Sequence, residues 1–238
     1  MRTQKEISGF RFTQMLFMFV MVMAMYGCAM LTPKPMALTD ESNALDLQKE
    51  SVAILTVWTS NQYKPGYQPD ISRIIVFNQD GKEKNEYIFG DKVGVLVPYD
   101  KDEKKFNEYL VSIALPAGKY KLGRIFGFGG AFPIRGNFSI PVFSDFELAP
   151  NKIVYLGRIE ATLRERKSDS ELRAGSVIPL IDQATTGFYS GTFDISIYDN
   201  YDKDISLFKQ KYPLLNNFTV EKAVLPPWRQ PTEEEMDR

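Results

Sequence analysis

The sequence has no histidine and only one cysteine, Cys28, among its 238 residues. Ser-His-Asp and Cys-His catalysis both need an imidazole, so both are excluded. Zinc sites draw on histidines or several cysteines, so no metal site is expected here, and no other cofactor is implied. A lone cysteine cannot close an intramolecular disulfide, so the fold has to be held by its apolar core. A charge excess is missing as well: 29 Lys and Arg stand against 30 Asp and Glu, a net −1. Nucleic-acid binding leaves a basic footprint, so no nucleic-acid partner is expected. Aromatic residues are plentiful, with 17 Phe and 12 Tyr. They suit the half-buried, pleated surface of a β-sheet.

The N-terminus reads as an export signal. Residues 1–14 carry Arg2, Lys5 and Arg11 against one acid, Glu6, and an uncharged apolar run fills 15–25. A positive segment, an apolar stretch of roughly 7–15 residues and a small residue before the cut define a signal peptide. Met25-Tyr26-Gly27-Cys28 resembles the lipobox of bacterial lipoproteins. Gly27 and Cys28 match it, Met25 replaces the usual leucine, and Tyr26 stands where a small residue is usual. The resemblance implies a signal peptide over 1–27, cleavage between Gly27 and Cys28, and acyl chains on Cys28. Several chains matter because a single one holds a protein at a membrane only marginally. With Ala29 rather than Asp after the cysteine, the resemblance implies the outer membrane, with the domain facing the periplasm or the cell surface. The competing reading is an uncleaved membrane helix over 15–31. Its positive flank places the rest of the chain outside the cytoplasm too.

Beyond Cys28, residues 28–50 read as the lipidated N-terminus and a flexible tether, with Pro33, Pro35 and scattered polar residues. A coil of that length spans about 25 Å. Residues 51–225 read as one β-sandwich domain. Strands are expected at 51–59, 71–77, 86–89, 93–97, 109–115, 119–128, 153–163 and 192–198, with a turn at 78–81. The period-two pattern puts Tyr109, Val111, Ile113 and Leu115 on one face. It also groups Ile153, Tyr155, Gly157, Ile159, Ala161 and Leu163, and turns Phe193, Ile195 and Ile197 inward. A short C-terminal helix is expected at about 202–211, with Ile205, Phe208 and Tyr212 on one stripe and Pro213 as its stop. The tail, 226–238, reads as disordered. The fold class is therefore mainly β, an antiparallel β-sandwich with one short C-terminal helix.

Leu115-Pro116-Ala117-Gly118-Lys119-Tyr120 and Phe146-Glu147-Leu148-Ala149-Pro150, followed by Tyr155-Leu156-Gly157, carry a second resemblance. They resemble bacterial lipoproteins with a prealbumin-like or carboxypeptidase-regulatory-like sandwich domain. That likeness implies an Ig-like or prealbumin-like architecture and an envelope location, with no common activity. It also implies that Gly118 and Asn151 serve tight turns and that Tyr120 and Tyr155 pack into the sandwich.

Candidates for chemistry read as structural. An EF-hand loop starting at Asn200 would need Gly and Glu where Ile205 and Lys211 stand, so the oxygen-rich 198–204 segment reads as a loop feeding a capped helix. Asp100, Asp102 and Glu103 sit among lysines, as at a solvated hairpin tip. The glycine-rich 127–132 segment precedes Pro133 and strand-like sequence rather than a helix, so it reads as a flexible loop presenting Phe126, Phe128 and Phe132. The functional expectation is a non-enzymatic envelope lipoprotein that meets a protein partner through its sheet edges and loops. The alternatives are capture of an envelope glycan or lipid, and a hydrolase working with carboxylates alone.

Overall fold

A computed structural model describes residues 33–42, 44–79, 106–130, 134–175 and 185–237, and the backbone alone at 84–88 and 131. Gly27, Cys28, the strand expected at 93–97, Phe132 and the Asp100, Asp102, Glu103 cluster lie outside the described residues. One sheet runs in the order β4 (Asn107–Leu115), β1 (Ser51–Asn61), β7 (Ile153–Glu165), β8 (Gly191–Tyr198), with β9 (Val220–Lys222) beside the first residues of β7. The other runs β3 (Lys84–Ile88), β2 (Pro69–Asn78), β5 (Gly118–Ala131), β6 (Ile134–Leu148). Between them lies the main core. Leu55 and Val57 of β1, Val111 and Ile113 of β4 and Leu156 and Ile159 of β7 meet Ile74, Leu122, Ile125 and Ile140 from the opposite sheet.

This is the expected mainly β sandwich with few helices. Its second sheet is antiparallel throughout. The first is mixed, because β1 and β9 run parallel to β7. Parallel neighbours need a long crossover. The chain between β1 and β7 supplies one by building β2 to β6 on the way.

The first sheet is covered on its outer face as well. Helix α1 (Tyr201–Lys211) and a 3-10 turn over Pro213–Asn217 bring Ile205, Phe208, Tyr212 and Leu215 against Val52, Ile54, Leu110, Ile153 and Tyr155. The apolar stripe expected on the helix is therefore used, and Asp202, Asp204, Lys209 and Lys211 sit at the ends that its dipole favours.

One face assignment needs correcting. Ile153 and Tyr155 point to α1, whereas Ile159, Ala161 and Leu163 point into the sandwich. A register shift opposite Ile54 and Thr56 and a left-handed Gly157 (φ 109°) insert one extra residue and flip the faces. Of the residues named by the resemblance, Asn151 takes φ 60° and Tyr120 stacks on Phe146 in the core. Tyr155, by contrast, packs under the helix.

Three segments expected to be loose are ordered. The expected tether ends early: Met36 and Leu38 are buried, and Ala37 N–H donates to the Ser112 carbonyl at 2.9 Å, which covers the outer edge of β4. The glycine-rich segment belongs to β5, because the Asp70 carbonyl and the Phe138 ring pass so close over Gly127 that a Cβ would collide with both. The tail docks too. Trp228 packs on the main core, and a short helix α2 (Glu233–Met236) caps the outer face of the second sheet over Ile75, Phe77 and Phe143. A capping box between Thr232 and Glu235 starts that helix.

Candidate functional site

The outer face of the first sheet, beyond the reach of α1, carries a row set by strand register: Glu108 on β4, Trp58 on β1, Glu160 on β7 and Ser196 on β8. Beside it runs a second row, Leu110, Thr56, Arg158 and Tyr198. Phe106 stacks on Trp58 with ring centroids 5.2 Å apart.

Arg158 sits at the centre, 4% exposed. Its guanidinium donates to Glu108 Oε1 at 2.5 Å, to Glu160 Oε1 at 3.1 Å and to Asp204 Oδ1 at 3.0 Å. Asp204, fully buried on α1, also accepts from the Tyr155 hydroxyl at 2.7 Å and from Asn200 Nδ2 at 2.8 Å. The Tyr198 hydroxyl donates to Glu160. Burial first, and the Asp204 hydrogen bond second, raise the Tyr155 pKa well above its ordinary value. Burial and then the Glu160 hydrogen bond push Tyr198 up to about 12. Desolvation opposes the charge on Arg158, but Glu108 and the other carboxylates outweigh it and hold its pKa up. Three carboxylates thus surround one guanidinium, leaving the face acidic. Glu160 keeps 33% of its side chain exposed, and Tyr198 is 38% exposed. Among the described residues, the Thr56 hydroxyl beneath this network is the one buried side-chain polar atom with no hydrogen-bond partner.

The oxygen-rich 198–204 segment therefore feeds the helix, as the sequence suggested. Its role goes further, because Asn200 and Asp204 tie α1 to the sheet through Arg158. Sequence patterning could not single out Arg158. It alternates like any solvent-facing strand residue, and only the helix laid across it makes it buried. No group of three or more metal-ligating side chains forms among the described residues.

A cleft of about 170 Å³ opens between the edges of β6 and β8. Phe193, Ile195, Pro141 and Trp228 give it apolar walls, and Arg164, Glu171, Arg173 and Asp194 form its rim. Three of these charges satisfy one another. Arg164 bonds both oxygens of Asp194 at 2.9 and 2.8 Å and bonds Glu171 at 2.6 Å, which pulls the Glu171 pKa down to about 2. The indole of Trp228 donates to the Pro141 carbonyl at 2.7 Å, and Ala174 bridges the two sheets by accepting from Ser139 N–H and donating to the Gly191 carbonyl. Apart from that last bond, the outer edge of β8 makes no backbone hydrogen bond among the described residues. The sheet's other edge, β4, is covered by the 36–38 segment, so the two ends of this sheet are unequal.

Of the aromatic residues expected on a loop, Phe126 and Phe128 lie instead on the outer face of the second sheet. Arg73 stacks over Phe126 at 4.8 Å and Arg135 over Phe128 at 3.6 Å. A Ser-x-x-Lys spacing, Ser206 to Lys209, lies on α1 with Ser206 exposed.

No protein-family model and no curated protein matches the sequence. One solved structure is similar over 80% of this chain, a leucine-rich repeat protein from Bacteroides thetaiotaomicron, at 12% identity and a TM-score of 0.30. The chain spans about a quarter of that protein's length, 26%.

Proposed function

We propose that the chain is a lipid-anchored envelope protein of the outer membrane, held through acyl chains on Cys28, whose sandwich is a non-enzymatic binding module for an envelope protein. Its resemblance to prealbumin-like lipoprotein domains belongs to the same proposal. The observation that carries the binding role is the outer edge of β8 beside the apolar cleft, which no strand among the described residues pairs beyond the Ala174 bond to Gly191. An added strand gains main-chain hydrogen bonds along such an edge, and its alternate side chains find a pocket. The cleft suits one medium-sized apolar side chain and is smaller than a typical small-molecule pocket.

The test places a photocrosslinking residue at Ser196 or, as a control on the back of α1, at Gln210 in intact cells. A discrete adduct with one envelope protein from Ser196 alone is the expected result. No adduct at Ser196, or the same set of adducts from both positions, overturns the binding reading.

A further inference from the structure

The register along β8 states what the partner strand must carry. Inward, Phe193 and Ile195 border the cleft, and outward stand Asp194, Ser196 and Tyr198. A strand added beside β8 inherits this alternation. Its residue opposite Ile195 faces the cleft and the Trp228 wall. Its next residue, opposite Ser196, extends the row Glu108, Trp58, Glu160, Ser196 by one place.

That place is two strand spacings from Glu160, about 10 Å. Within the row only the small Ser196 side chain stands between, and the Tyr198 hydroxyl reaches Glu160 from one side. A long side chain lying over Ser196 therefore meets the Glu160 carboxylate, which is one-third exposed and has Oε1 engaged by Arg158 and Tyr198. The charge balance there is one-sided, with Glu108, Glu160 and Asp204 against the single cation Arg158. The cleft rim itself is balanced, with Asp194 and Glu171 against Arg164 and Arg173, so the acidic excess is local to Glu160.

Resting on the β8 reading above, we infer that the partner is a protein segment with an apolar residue for the cleft followed directly by a lysine or arginine that crosses Ser196 to Glu160. Apolar burial supplies the affinity, and the basic residue fixes register and discriminates among partners. An acidic residue at that place meets like charge and is rejected.

Immobilised extended peptides with alternating apolar and polar residues, carrying Lys, Gln or Glu at the central outward position, are probed with the purified domain. The expected order is Lys above Gln above Glu. Glu160→Gln, which keeps the hydrogen-bond shape, reduces the lysine preference about two- to fivefold, the range of a partly exposed pair. Ser196→Lys, at an exposed position with no packing role, reverses the preference toward Glu and keeps the test valid should Glu160→Gln fold poorly. Binding that ignores the central charge, or a preference unchanged in both variants, overturns this inference and leaves the β8 edge standing. Binding of no peptide, or binding unaffected by bulky residues introduced along β8, overturns both.

Discussion

Asp204 is the residue on which the outer layer turns. It is fully buried and takes hydrogen bonds from three side chains on two different elements. Asp204→Ala leaves the Arg158 cation with fewer partners inside the protein and the Tyr155 hydroxyl without its acceptor. Removing one member of a buried pair costs about 3–5 kcal/mol. Urea unfolding should show that loss as a lower midpoint with an unchanged slope, and a loss under about 1 kcal/mol would show the network to be replaceable by water. Arg158→Met, a similar stem without the charge, should be nearly as harmful, because it strands Glu108 and Asp204 together.

At the scale of elements, the docked tail is the clearest departure from what the composition suggests. Three prolines and a run of three glutamates look like a disordered end. Yet Glu235 completes its capping box, pairs with Arg229 and reaches Lys121 at 3.2 Å, while Arg124 donates to the Met236 carbonyl. The Arg229 hydrogen bonds, above all, hold the Glu235 pKa well below its usual value. A carboxylate depressed in the folded state stabilises above its unfolded value near 4.5 and loses that contribution as pH falls through the folded value. In a Trp58→Phe background, which leaves Trp228 as the one indole, emission should therefore hold steady through pH 4.5 and shift only in stronger acid. A transition centred at pH 4.5, identical in Glu235→Gln, would refute the role given to Glu235. The same scale explains which elements were legible. Strand β8 alternates, β4 keeps a period-two face, β1 and β2 read as short apolar runs, and α1 has its stripe and its proline stop. Most of β5 matches the strand expected at 119–128, and only its glycine-rich end reads as a loop, because those glycines make room for neighbours that are distant in sequence. Half of β7 was assigned to the wrong face because a bulge at Gly157 leaves no trace in a period-two pattern. The Arg158 cluster was invisible for a similar reason: its burial is decided by α1, 46 residues further along the chain for Asp204.

At the scale of the whole molecule, the domain begins sooner than its composition implies, since Met36 and Leu38 are already buried in it. Under the proposed anchoring, six residue steps separate Cys28 from Lys34, so covalent geometry limits their separation to about 20 Å. Acyl labelling of intact cells should mark the wild type and lose the label in Cys28→Ser. Equal labelling of both would remove the lipid anchor from the proposal while leaving the β8 edge untouched.

The placement of β1 has a mechanical consequence. It is the first strand of the domain, yet it lies inside its sheet, bonded to β4 along one side and to β7 along the other. Under the proposed anchoring, a pull on the N-terminal side of β1 would run along its axis. Such a load first peels the short 34–38 segment from β4, one bond at a time. It then meets β1 in shear, where the bonds of both ladders resist together. Were the chain anchored and bound as proposed, the domain would yield late, and a partner strand held by a single ladder on β8 would come away first.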